Sequence, residues 1–351
     1  MGECLMFGMD VEARCLTSVT ADEDTVSFLV GTNNIKSENV VNKLYVNGDG
    51  GRLLSKSFKH PTGEVRAMVS SPSDPAKLAT CAADYSTTNG SFSFCIWNIE
   101  DDKRTLESVS QESSDQLLHG ITWEPHTNRI ATVASGSIQI FDVQETPKAL
   151  QTIPIEGQAN SASWSPHHNG NLLGIAVDDH VVGFDTRTTG DQLKIASAHA
   201  HRTLNLDFNP NLQNSIATCG NDGHVRIWDL RSPTEPKLDL NPHAHWVWQV
   251  KYHPVHDQLL LSVGSDSCVV LSCAQSVSSE QFEPSEEEED EDEHVERLQD
   301  GQLERIEEHE DSVYSCAWSS ADPWTFASLS YDGRVILSKI SRKHKYALMQ
   351  L

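Results

Sequence analysis

Several features that would assign a chemistry are missing from this sequence. Its eight cysteines, Cys4, Cys15, Cys81, Cys95, Cys219, Cys268, Cys273 and Cys316, form no Cys-x-x-Cys pair, so the usual thiolate frame for zinc is absent. Most sit singly inside apolar, strand-like runs, which reads as small buried hydrophobes in a reducing compartment. There is no Gly-rich phosphate loop ending in Lys-Ser or Lys-Thr, no His-Glu-x-x-His and no Gly-x-Ser-x-Gly. Nucleotide hydrolysis, zinc peptidase and α/β-hydrolase chemistry therefore have no motif to stand on, and neither a cofactor nor a metal is expected. No run of 18 apolar residues exists, and the first ten residues lack the basic-then-apolar pattern of a signal peptide. Positive charge is scarce: 26 Lys and Arg face 51 Asp and Glu, a net charge of −25. A phosphate backbone or an anionic leaflet would repel such a surface, which argues against nucleic-acid binding and membrane contact. The charge favours solubility and basic partners.

What the sequence does have is a period. Apolar runs close on Trp97-Asn98, Phe141-Asp142, Phe184-Asp185 and Trp228-Asp229, at spacings of 44, 43 and 44 residues. Ser272 falls 44 further on and Ser338 another 66, the excess marking an insertion. A second register agrees with the first. His199, His243 and His309 are each followed after 19 residues by a hydroxyl (Thr218, Ser262, Ser328) and after 23 by an aspartate (Asp222, Asp266, Asp332). Within a unit, short β-rich runs are bounded by Asn-Pro and by Asn-Asp-Gly, the punctuation of hairpins. At 351 residues the chain is too long for one ordinary core, but a repeat array escapes that limit because each unit packs only on its neighbours.

A four-stranded unit of this length, with His early and Trp-Asp late, resembles the WD40 repeat. The expected fold is all-β, a single seven-bladed propeller over residues 1–351. Its blades fall at about 1–59, 60–108, 109–150, 151–195, 196–240, 241–308 and 309–351. The first unit is assigned strands at 5–11, 26–31, 40–46 and 52–58. Residues 346–351 are expected to supply the last outer strand, with residues 5–9 as the alternative closure. Closure matters because an open ring leaves strand edges exposed.

His309, Ser328 and Asp332 invite a hydrolase reading, but the same trio recurs in the two preceding units, and three tandem active sites are implausible. In the WD40 family these residues form buried hydrogen-bonded chains. The resemblance assigns that structural role to His199, Thr218, Asp222 and Trp228, to His243, Ser262 and Asp266, and to His309, Ser328 and Asp332.

Residues 283–296 hold ten carboxylates. No core can bury that, so 278–302 is expected to be a disordered acidic insertion in the sixth blade. It is a tolerated solvated loop, bait for a basic partner, or a kinase-regulated switch near Ser278, Ser279 and Ser285. Partner contacts are sought on the turns and strand starts of one face: Trp246, Trp248, Tyr331, Asn221 and Ser265. Trp324 belongs to the opposite face. Aromatic side chains are common interface anchors, although these tryptophans could equally be packing residues.

The last third carries a narrower resemblance. Glu308-His309-Glu310-Asp311-Ser312-Val313-Tyr314, then Trp318-Ser319-Ser320-Ala321-Asp322-Pro323-Trp324, and earlier His245-Trp246-Val247-Trp248, are similar to the family of proteins that interact with the EARP and GARP complexes. That likeness implies a cytoplasmic, monomeric, non-enzymatic adaptor, peripheral at the trans-Golgi network and endosomes. It would serve endosomal recycling, retrograde transport and dense-core vesicle cargo sorting. The alternative is a substrate receptor of a cullin-type ubiquitin ligase, through the box Trp228-Asp229-Leu230-Arg231.

Overall fold

The computed structural model describes residues 4–35, 38–48, 51–86, 90–144, 147–167, 170–188, 191–280 and 298–349. They form seven four-stranded antiparallel sheets. The first strands of the sheets are Ala13–Ser18, Glu64–Ser70, Leu118–Trp123, Ala159–Trp164, Thr203–Phe208, Val247–Tyr252 and Val313–Trp318. Each contacts the first strand of the next sheet, and the seventh returns to the first. The result is a closed ring around a central channel, with these seven strands innermost.

Burial follows from that geometry. The second strand of a blade lies between two neighbouring sheets, so Ser27–Thr32, Ser215–Gly220, Leu259–Gly264 and Thr325–Ser330 are buried at every residue. Such strands read as continuous apolar or small-residue runs, while outer strands such as Glu107–Ser114 are polar and largely exposed. The core is divided. Each of the seven seams between blades holds its own cluster; Cys15, Leu29, Phe58, Val65, Leu78 and Trp97 pack between the first and second blades. Leu16, Phe28, Leu44, Leu329 and Leu337 pack between the seventh and the first. Seven of the cysteines are buried in this way, and burial pushes the thiols of Cys15 and Cys316 up to about 12.

The closure follows the alternative rather than the first expectation. Cys4–Gly8 does not open the first blade; it is the outermost strand of the seventh, antiparallel to Arg334–Lys339 with Leu5 opposite Leu337. The first blade begins at Ala13–Ser18. Residues 346–349 form no strand: Arg342–Met349 is a helix whose Leu348 is buried against the seam of the last two blades, and residues 350–351 lie outside the described residues. Once Cys4–Gly8 has taken the outer position, the chain end has no ladder left to join.

The insertion is also shorter than expected. Ser278 is buried, and Ser279 donates its hydroxyl and backbone N–H to Asp257 at 2.6 and 2.8 Å. Gly301–Ile306 forms the outer strand of the sixth blade, and Leu298 packs on the adjacent core. The acidic stretch 283–296 itself lies outside the described residues.

Candidate functional site

The repeated histidines are staples. In the fifth blade His199 Nδ1 donates to Asp222 at 2.8 Å. The carboxylate can only accept, so Nδ1 carries a proton; burial lowers the pKa of the ring, and in its neutral form Nε2 accepts from the Thr218 hydroxyl at 2.9 Å. Trp228 Nε1 then donates to Thr218 at 2.9 Å. Burial alone would raise the Asp222 carboxyl, but the bonds from His199, from the Ala200 backbone and from Arg226 hold it well below the usual carboxylate range. The sixth blade repeats the geometry with His243, Asp266 and Ser262, each at 2.9 Å. There Ser272, buried where the tryptophan would stand, ends the chain.

The seventh blade departs from the expected arrangement. His309 does accept from Ser328, at 2.7 Å, but its Nδ1 reaches Ser330 at 2.9 Å instead of Asp332, and Ser330 passes the link to Asp332. Ser328 is fully buried, so no substrate carbonyl can reach it, and burial holds His309 down at about 4.

A fourth staple was missed by spacing. In the second blade His60 Nδ1 donates to the Gly63 carbonyl at 3.0 Å, and Thr80 joins His60 (3.0 Å) to Trp97 (2.7 Å).

Two ends of the ring must be told apart. The inner strands start at one end, here the top, and finish at the bottom. Trp246 precedes an inner strand and lies at the top; Trp324 follows one and lies at the bottom. The structure gathers Trp246, Trp248, Tyr331 and Ser265 into one top-face surface. Trp246 is 42 % exposed and meets Trp248 edge-on at 5.7 Å. Trp248 donates to the Ser265 hydroxyl at 2.7 Å and lies 4.8 Å from Tyr314. Tyr314 meets Tyr331 at 5.7 Å, and Tyr331 donates to Glu12 at 2.9 Å. Arg14 lies over both tyrosines, 4.5 and 5.3 Å from their ring centres. Arg14, Glu12 and Tyr314 had no signal in the sequence: Arg14 and Tyr314 are 300 residues apart.

The other candidates are elsewhere. Asn221 is on the top of the fifth blade, its backbone N–H bonded to the Arg202 carbonyl. Trp324 packs on His256 at 5.0 Å beneath Lys345 of the helix. Arg231, at the bottom, is clamped onto its own Asp229 by bonds of 2.9 and 2.7 Å. The fourth blade has the same clamp between Arg187 and Asp185.

Seven antiparallel four-stranded sheets in a ring, stapled by His, hydroxyl and Trp side chains, define a WD-repeat β-propeller. Residues 301–337 match the WD domain, G-beta repeat, and residues 1–272 match the EIPR1 beta-propeller family. The chain belongs to that family. It is 59 % identical to "EARP-interacting protein 1" of Caenorhabditis elegans, with both chains covered in full. It is 36 % identical to "EARP and GARP complex-interacting protein 1" of Homo sapiens over 98 % of each chain. It is 32 % identical to "WD repeat-containing protein DWA2" of Arabidopsis thaliana over 95 % of each. No helix among the described residues is long and apolar enough to cross a membrane.

Proposed function

We propose that this chain is a non-enzymatic adaptor for EARP- and GARP-type tethering complexes. It works as a monomeric propeller in the cytoplasm, peripheral at endosomes and the trans-Golgi network. Its roles are endosomal recycling, retrograde transport to the trans-Golgi network and, in secretory cells, dense-core vesicle cargo sorting. The observation that carries the reading is end-to-end similarity to relatives whose names state that interaction. The aromatic run from exposed Trp246 through the half-buried Trp248 and Tyr314 to Tyr331 supplies the kind of surface on which binding energy concentrates.

The test is affinity purification of the tagged full chain from cells. Tethering-complex subunits are expected with the wild type and reduced by Trp246→Ala, at unchanged melting temperature. Recovery of a cullin adaptor instead, lost on Arg231→Ala, would overturn the reading. The clamp of Arg231 onto Asp229 speaks against that outcome, because the guanidinium already has a carboxylate.

A further inference from the structure

All seven inner strands slip register near their first residue, a β-bulge repeated once per blade. A bulge leaves one residue out of the ladder and re-aims its side chain. Around the channel mouth the seven bulged residues run in two arcs. Arg14 and Arg66 make the basic part of one arc, which His119, its pKa lowered chiefly by burial, continues into the third blade. After Asn160, Leu204, Trp248 and Tyr314 make an apolar arc in the last three. None is fully buried, and none is a carboxylate, in a chain with twice as many acids as bases.

The ring is built sideways. His119 Nε2 donates to the Ala159 carbonyl and Asn160 Nδ2 to the Thr203 carbonyl, each at 2.8 Å and each on the following blade. Trp248 leans on Tyr314, and Tyr314 carries Arg14. The arcs therefore meet at Arg14. Its guanidinium is exposed and held against two tyrosine rings, and it bonds Tyr314 Oη at 3.4 Å. Among the described residues no carboxylate pairs with it. Arg66 has Glu64 at 3.4 Å. A guanidinium oriented by stacking keeps its donor edge free, which suits bidentate capture of a carboxylate.

We propose that the top mouth of the channel takes an acidic, apolar-tipped segment of a partner protein. Its carboxylates pair with Arg14 and then Arg66, and its apolar side chain lies on Leu204 and Trp248 with Trp246 as the rim. Charge complementarity selects this occupant: the molecule as a whole repels acidic segments, so only a local basic arc can hold one, and Arg14 has no carboxylate partner there among the described residues, while Glu64 is engaged by Arg66 and Glu12 by Tyr331. The site deepens the adaptor reading by naming the chemistry of the contact, and it rests on that reading for its biological partner.

A displayed library of random short peptides is selected on the full chain, and the winners are measured by fluorescence anisotropy. Enrichment of sequences pairing Asp or Glu with Leu, Phe or Trp is expected. Affinity should fall about tenfold to a hundredfold in Arg14→Glu, less in Arg14→Lys, and should weaken with salt. Selection of basic or purely apolar peptides, or equal binding by Arg14→Glu at unchanged melting temperature, overturns the site. Affinity purification separates this result from the adaptor reading. Peptide binding through Arg14 without tethering subunits sinks the adaptor role and keeps the site. Undiminished subunit recovery by Arg14→Glu, with no acidic peptide selected, does the reverse.

Discussion

Ser330 stands between His309 and Asp332, accepting from the first and donating to the second. In the fifth blade Asp222 meets His199 directly and also takes Ala200 N–H and Arg226. The same residue type at the same spacing thus carries different weight. Asp332→Ala is expected to cost under about 1 kcal/mol, Ser330→Ala about 1–3 kcal/mol, and Asp222→Ala at the top of that range or above. Urea unfolding of the three variants ranks them; equal losses in Asp332→Ala and Asp222→Ala would refute the bridging role of Ser330.

Stability should decline in mild acid. Burial holds His60, His253 and His309 down at about 4, against about 6.5 in an unfolded chain. Their neutral forms therefore stabilise the fold fully above about pH 6.5. That contribution is lost progressively as pH falls from about 6.5 through about 4, where the unfolded chain binds protons first. Asp222 and Asp266, both held low, add a second decline below about pH 4. The urea midpoint should be flat between about pH 6.5 and about pH 8, fall below that window, and fall again above it, where unfolded thiols ionise while burial keeps those of Cys15 and Cys316 up at about 12. His253 Nδ1 accepts the backbone N–H of Val255 and His256 at 3.1 and 2.9 Å. Asn at 253 can keep an acceptor without a titrating proton, so His253→Asn should flatten the slope.

Gly31 is small because Val65 is across the seam. A Cβ there would lie 2.6 Å from Val65 Cγ1, so Gly31→Ala should cost about 1–3 kcal/mol by overpacking. Val65→Ala should relieve it: the double variant is expected to be more stable than the sum of the singles by at least about 0.5 kcal/mol. Additive losses in a double-mutant cycle would place the strain elsewhere.

Ring closure depends on Cys4–Gly8 rather than on the helix. Deleting residues 1–9 exposes the edge of Arg334–Lys339 and removes Leu5 and Phe7 from the last seam. It should lower the melting temperature markedly and promote association on a sizing column. Truncation after Ser341 removes only the buried Leu348 from its cluster and should be the milder change. The opposite order would mean that the helix is the true clasp.

The ring and its staples were readable where the turns keep their length. The step from hydroxyl to Trp is 10 residues in the fifth blade, Thr218 to Trp228, but 17 in the second, Thr80 to Trp97. The longer connection between Lys77–Asp84 and Ser91–Asn98 hid that staple from any fixed period. Asp332 was misassigned because spacing cannot show that a nearer hydroxyl, Ser330, intervenes. The closing strand was misplaced because residues 5–11 and Ala13–Ser18 are both short apolar runs, and only pairing with Arg334–Lys339 separates them. The top-face surface joins Arg14 to Tyr314 across nearly the whole chain, which no local pattern records.

The pairing of Cys4–Gly8 with Arg334–Lys339 also orders events in time. Contacts here are made within a blade or between neighbouring blades, so the first six can assemble as they leave the ribosome. Cys4–Gly8 must nevertheless wait for a partner strand that belongs to the seventh blade. Until then the nascent arc has two unpaired ends, at Ala13–Ser18 and at the newest blade. Chaperone protection would matter most in that interval, and the commitment to a finished ring comes only once Arg334–Lys339 has been made.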